Sequence, residues 1–139
     1  MTKRINITIE TNIKAPIEKV WDTWNNPKHV VNWNHASDDW FSPRATNDFN
    51  VGGKFVYRME ARDGSFGFDF SGSYIDIQEN KLVVTRLDDD RLVSTEFIPE
   101  NDSIKVVETF EAEGENSVEL QREGWLAILT NFKNYTESI

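Results

Sequence analysis

The sequence predicts a single α+β domain in which one curved antiparallel sheet wraps around a long C-terminal helix, with two short helices between the first and second strands. Three observations lead there. An isoleucine-alternating segment opens the chain, short alternating segments separated by tight turns fill its middle, and a one-sided helical segment closes it. A chain of 139 residues is the size of one ordinary domain, able to bury roughly 70% of the surface its unfolded form exposes. One domain over residues 1–139 is therefore expected.

From Arg4 to Ile13, the residues Ile5, Ile7 and Ile9 alternate with Asn6, Thr8 and Glu10, which is the two-residue period of a half-buried strand. Pro16 then stands where a first helical turn tolerates it, and Ile17, Val20, Trp21 and Trp24 recur at the spacing of one apolar helical face. Asn26 followed by Pro27 supplies an N-cap and a first helical residue for a second, short helix carrying Val30 and Val31 and reaching toward Trp33. Beyond it, Trp33, Trp40 and Phe41 lie in KHVVNWNHASDDWFSP without the spacing of helix or strand. Irregular polar segments run over surfaces and seldom carry such rings, so these need something to rest against.

After Pro43, the segments ATNDFNV, KFVYRMEA, FGFDFSGSYIDI, LVVTRL, RLVSTEFI and SIKVVETFEA are strand-like. Their short connections imply consecutive antiparallel pairing, for about seven strands with the first included. Asp63-Gly64 marks a hairpin, because glycine supplies the positive φ such a turn demands. In NSVELQREGWLAILTNFKNYTESI, Asn116 stands where it can cap a helix, with Glu119 in the capping-box place. Trp125, Ile128, Leu129, Phe132 and Tyr135 fall on one stripe of that helix. A sheet with one apolar face and a one-sided helix must pack together, and a twisted sheet of this width curls around the helix.

Fifteen basic against twenty-four acidic residues leave a net charge of −9, which repels phosphate backbones, and nucleic acid is not expected as a partner. The N-terminal segment has no apolar signal-peptide core and no run long enough to span a bilayer, so a cytoplasmic protein without membrane association is expected. The absence of cysteine removes disulfides, thiolate nucleophiles and Cys-based zinc sites. His29 and His35 lack the spacing of a helical metal pair, and neither a metal nor a cofactor is expected.

The strand and helix order, together with NVGGKFVYRM after a Trp-containing loop, DGSFGFDFSGSY after that, and EGWLAILTNFKNY at the end, resembles the single-domain relatives of the Hsp90 ATPase activator. These belong to the superfamily of START lipid-transfer domains, the birch-pollen allergen (Bet v 1-like) fold and polyketide aromatase/cyclases. The resemblance covers essentially the whole chain and implies a helix-grip fold, with a cavity between the concave sheet and the C-terminal helix. It does not by itself carry over ATPase activation, because the eukaryotic activator has a second, N-terminal domain that this sequence does not show.

On that resemblance, Trp33, Trp40 and Phe41 are expected at the rim or lid of the cavity. Phe55, Tyr57 and Met59 share one face of their strand and Phe66, Phe68 and Phe70 one face of the next, giving an aromatic wall that packs on the helix, lines a cavity, or does both at different depths. Phe97, Trp125 and Ile128 join the expected ligand-binding set. Gly124 joins it too, since glycine inside a helix costs about 1 kcal/mol relative to alanine and suggests space left over the cavity, unless it is a tolerated surface glycine. Glu108 has two registers: with Ile104, Val106 and Phe110 inward its carboxylate points inward and needs pairing, by Arg86 or Thr95, or protonation; with Val107 and Thr109 inward it is solvated. His35 could act as an acid or base in the rim loop or be polar surface, as could His29. Asp88, Asp89 and Asp90 lack the spaced ligands and glycine of a calcium loop and are expected to form a solvated turn.

Three functions follow. The first is a binding protein for an apolar or amphipathic small molecule. The second is a chaperone- or stress-associated interaction module, with Hsp90 a possible partner. The third is a cyclase- or hydrolase-like enzyme, for which the scattered candidates Glu108, His35 and Tyr57 assemble no constellation from spacing alone. Binding without catalysis is the expectation.

Overall fold

The computed structural model describes residues 4–139. The elements in order are β1 (Asn6–Ile13), α1 (Ile17–Asn25), α2 (Pro27–Trp33), β2 (Trp40–Phe41), β3 (Ala45–Asn47), β4 (Lys54–Ala61), β5 (Gly67–Gln78), β6 (Leu82–Leu87), β7 (Leu92–Glu100), β8 (Ser103–Glu111) and α3 (Val118–Ser138). The sheet runs β1-β8-β7-β6-β5-β4-β2 with antiparallel neighbours, and β3 also pairs with β4. This is a curled antiparallel sheet gripping the long α3, the helix-grip architecture expected from the sequence.

Local chemistry explains where the elements begin. The Asn26 side chain accepts a hydrogen bond from the Lys28 N–H at 3.0 Å and Pro27 opens α2, so the expected cap and first residue are both present. Gly64 has φ 77° in the β4–β5 turn, the left-handed conformation expected of it. The cap of α3 is Ser117, one residue beyond Asn116: its Oγ accepts from the Leu120 N–H at 3.1 Å. The Asn116 N–H donates instead to the Glu113 carboxylate at 2.7 Å. Glu119 therefore lies in the first helical turn, where its charge complements the helix dipole, and forms no capping box with Asn116.

Trp40 and Phe41 are not irregular. They form β2 and pair with Ala61 and Glu60 of β4, while Ala45–Asn47 pair with Tyr57–Phe55 further along the same edge. β2 and β3 thus make one edge strand interrupted around Pro43, whose missing N–H breaks the ladder. At the interruption the Ser42 hydroxyl donates to the Arg58 carbonyl at 2.7 Å. At the opposite edge, the β1 carbonyls of Thr8 and Asn12 accept from the Arg122 guanidinium (3.1 Å) and the Lys133 ammonium (2.6 Å) of α3.

The core lies between the concave face and the helices. Ile7, Ile13, Val20, Val30, Val106, Phe110, Leu129 and Phe132 are fully buried, each contributing about 1.5–3 kcal/mol by leaving water. Cross-strand register builds this face in rows: Ile9, Glu108, Thr95 and Val83 stand side by side across β1, β8, β7 and β6. A register shift between Tyr74 and Asp76 leaves Ile75 exposed and bends β5. Among the described residues, no helix is long and apolar enough to cross a membrane.

Candidate functional site

The helices close one end of the concave sheet with rings. Trp24 of α1 and Trp33 of α2 stack with centroids 5.0 Å apart, and Phe132 of α3 meets them edge-on at 4.9 and 5.0 Å. The Trp33 indole N–H donates to the Thr23 carbonyl at 2.9 Å, so the ring is held in place as well as buried. Further along α3, Trp125 lies flat on Phe110 at 3.9 Å and edge-on to Phe70 at 5.8 Å.

Between these groups and the sheet is a partly enclosed cavity of about 100 Å³. The helices α1 and α2 and the residue after them supply Trp24, Asn25, Trp33 and Asn34, and α3 supplies Trp125 and Ile128. The sheet supplies Phe55, Tyr57, Met59, Phe70 and Tyr74 from β4 and β5, Val83 and Thr85 from β6, Val93 and Thr95 from β7, and Glu108 from β8.

Glu108 is in the inward register. It is flanked by Ile9 and Thr95 and is 6% exposed. Burial pushes its carboxyl up from the usual 4.5 to about 8, so it is protonated at neutral pH. Among the described residues no hydrogen bond or ion pair reaches it. Arg86, one of the two partners the sequence offered, is exposed and opposite Ser73 on β5, whereas Thr95 is the cross-strand neighbour. The Tyr57 phenol is held well above 10 by burial and by the adjoining Tyr74, which is itself raised by burial. The Asn47 amide donates to the Tyr74 hydroxyl at 3.0 Å and to the Asn25 carbonyl at 2.8 Å, tying β3 to β5 and α1. The Asn34 Nδ2 is buried with no partner among the described residues.

Of the residues singled out from sequence, Trp33, Phe55, Tyr57, Met59, Phe70, Trp125, Ile128 and Glu108 line the cavity. Trp33 does so as a buried core ring and not as a lid, because α2 extends to it. Phe97 is buried behind the lining, 5.2 Å from Trp21 and 6.3 Å from Trp24. Trp40, Phe66 and Phe68 form a separate cluster with centroids 6.1–6.3 Å apart, Phe66 being 62% and Phe68 39% exposed. They lie where the β4–β5 hairpin extends past the helices. Phe68 is opposite Met59 in register, so the cluster begins where the lining ends. Phe41, pointing the other way from Trp40, sits 5.1 Å beneath the Arg62 guanidinium. A Cβ at Gly124 would have no atom within 4 Å, and Gly124 is absent from the lining. By helical spacing it shares a face with Ile128 and Asn131.

His35 is outside the cavity, its carbonyl accepting from the Asn131 amide. His29 bridges α1 and α3, with Nδ1 2.8 Å from the Tyr135 hydroxyl and Nε2 3.4 Å from the Asp22 carboxylate. Asp88–Asp90 form a turn in which Asp88 accepts from the Ser71 hydroxyl, and no metal-holding cluster occurs among the described residues.

The lining residues outside the expected ligand-binding set and the catalytic candidates are Trp24, Asn25, Asn34, Tyr74, Val83, Thr85, Val93 and Thr95. Strand phase is the available signal for five of them: Tyr74 shares the phase of Phe70, Thr85 pairs with Tyr74 and with Val93, and Thr95 pairs with Glu108 and with Val83. Asn34, the C-cap residue of α2, carried none.

Comparison with known proteins agrees with this architecture. The family model described as Activator of Hsp90 ATPase homolog 1-like protein matches residues 14–137. A solution structure of an AHSA1-like protein from Aeromonas hydrophila is 40% identical with a TM-score of 0.91, over 96% of this chain and 93% of that one. A protein from Cytophaga hutchinsonii is 44% identical with a TM-score of 0.83, over 96% and 92% of the two chains. A protein from Rhizobium leguminosarum shares the fold at 23% identity with a TM-score of 0.81, over 99% and 97%. No curated protein matches the chain.

Proposed function

This chain belongs to the Activator of Hsp90 ATPase homolog 1-like family, and from that premise we propose that it binds an apolar or amphipathic small molecule between the sheet and α3. The observation that carries this function is a cavity walled by aromatic rings and lined by two polar side chains, Asn34 and Glu108, whose Nδ2 and carboxyl have no hydrogen-bond partner among the described residues. Its volume, about 100 Å³, sets the scale of the occupant. An apolar cavity of roughly 150 Å³ holds benzene, so the enclosed part takes at most one ring, which would project through the cavity's open side. A longer ligand would rest its remainder on the Trp40–Phe66–Phe68 cluster just outside.

Titration with one-ring apolar and amphipathic probes, followed by calorimetry and tryptophan fluorescence, tests this. One-to-one binding with a negative heat-capacity change is expected, weakened by Trp125→Ala. Absence of binding by every probe would remove the proposal. The site of action is taken to be the cytoplasm, which fractionation of the host cells checks.

A protein-interaction module is the second reading, favoured by the exposed Trp40–Phe66–Phe68 cluster. The family description makes Hsp90 the partner to try, through co-purification and stimulation of its ATPase. Catalysis is supported only by Glu108, whose raised pKa suits a general acid. Turnover that disappears in Glu108→Gln would establish it.

A further inference from the structure

The polar groups of the cavity are mismatched in one direction. The Asn34 amide N–H is buried and has no acceptor among the described residues. The Glu108 carboxyl, protonated at neutral pH because burial raises it to about 8, is a second donor with no acceptor among the described residues. The Asn25 amide is already committed to the Trp21 carbonyl at 3.0 Å.

Among the described residues no lysine, arginine or histidine lines the cavity. Around Glu108, β1 presents Ile9, β6 and β7 present Val83, Thr85, Val93 and Thr95, and α3 presents Trp125 and Ile128. Among the described residues the only other titratable groups lining the cavity are the Tyr57 and Tyr74 phenols on β4 and β5, both raised above their ordinary value and so neutral. An anionic ligand would find no countercharge there. A cationic one would have to ionise Glu108 and would still leave the Asn34 donor unmatched. A neutral oxygen acceptor satisfies donors without burying any charge.

Resting on the cavity being a binding site, we propose that its ligand is an uncharged ring compound bearing a carbonyl oxygen, which accepts hydrogen bonds from the Asn34 amide and the Glu108 carboxyl. The rings of Trp24, Trp33 and Trp125 hold the ligand's apolar part, and the donor pair selects it over a hydrocarbon of equal size.

The test is calorimetric, with acetophenone, ethylbenzene and benzylamine as probes of similar size carrying a carbonyl, no polar group and a cation. Each is titrated about one pH unit below and above the Glu108 midpoint of about 8. Acetophenone should bind about tenfold more tightly than ethylbenzene at the lower pH. Its advantage should shrink at the higher pH, where the carboxylate no longer donates. Glu108→Gln, whose amide donates at every pH, should keep the advantage and abolish its pH dependence, whereas Asn34→Leu should reduce it. Equal binding of acetophenone and ethylbenzene at both pH values overturns the carbonyl proposal and leaves the cavity as an apolar site. Benzylamine binding that strengthens with pH and is lost in Glu108→Gln overturns it in favour of a cation site. Failure of every probe overturns both it and the binding function.

Discussion

Glu108 stands in a row of aliphatic and hydroxyl side chains with no charge to answer its own. In the unfolded chain it titrates near 4.5 and in the folded protein near 8. Below the lower value both states are protonated and the residue is neutral in effect. As pH rises from about 4.5 to 8 the unfolded state loses its proton first, so stability falls across that window and stays reduced above it. Glu108→Gln should therefore stabilise the empty protein increasingly over the same range, by on the order of a few kcal/mol at its upper end. Thermal unfolding of both proteins across pH measures the difference. The sequence could not choose between the registers of SIKVVETF, because valines occupy both phases and one phase requires burying an acid. That conflict between alternation and burial cost is itself a mark of a site. Trp33 and Trp40 looked alike in sequence but differ in setting: Trp33 is stacked, hydrogen-bonded and 3% exposed. Trp33→Ala should cost about 3–5 kcal/mol, and Trp40→Ala distinctly less, as denaturant titration of the two variants would show.

At the scale of elements, α3 and the β4–β5 hairpin behave differently from the rest. Gly124 interrupts an otherwise strong helix former's run, and a methyl group there meets nothing within 4 Å. Gly124→Ala should raise stability by about 1 kcal/mol through helix propensity, with no change in probe binding. The hairpin is anchored unevenly: β5 pairs with β6 only from Gly72 onward, while Gly67–Phe70 pair with β4 alone. Amides near the hairpin tip should exchange with solvent faster than those of β7 and β8, which pair on both sides. Most elements were legible because each carries its own period and its own turn or cap residues. Two details were not. The cap of α3 moved by one residue because Asn116 and Ser117 are adjacent candidates, and backbone geometry selected Ser117. The strand β2 leaves no signal in the sequence because two residues are too few to show alternation.

For the molecule as a whole, the fold could be read from sequence because it depends on which residues are apolar and at what period. The cavity could be read only in part, because its lining depends on how far each strand runs past the helices once the sheet curls. Phe66 and Phe68 have the right phase but lie beyond the covering helices, whereas Tyr74 and Thr95 lie beneath them. The two edges of the sheet also bear on how copies of the protein meet. A strand with unpaired backbone groups is a template for another chain, and such templates seed edge-to-edge aggregation. Here Pro43 divides one edge into pieces of two and three residues, and Arg122 and Lys133 occupy carbonyls of the other. Neither edge offers an incoming strand a continuous ladder, so the curled sheet stops at its own ends. Pro43→Thr, which restores an N–H at the break, should lower the concentration at which the protein begins to scatter light during prolonged warming.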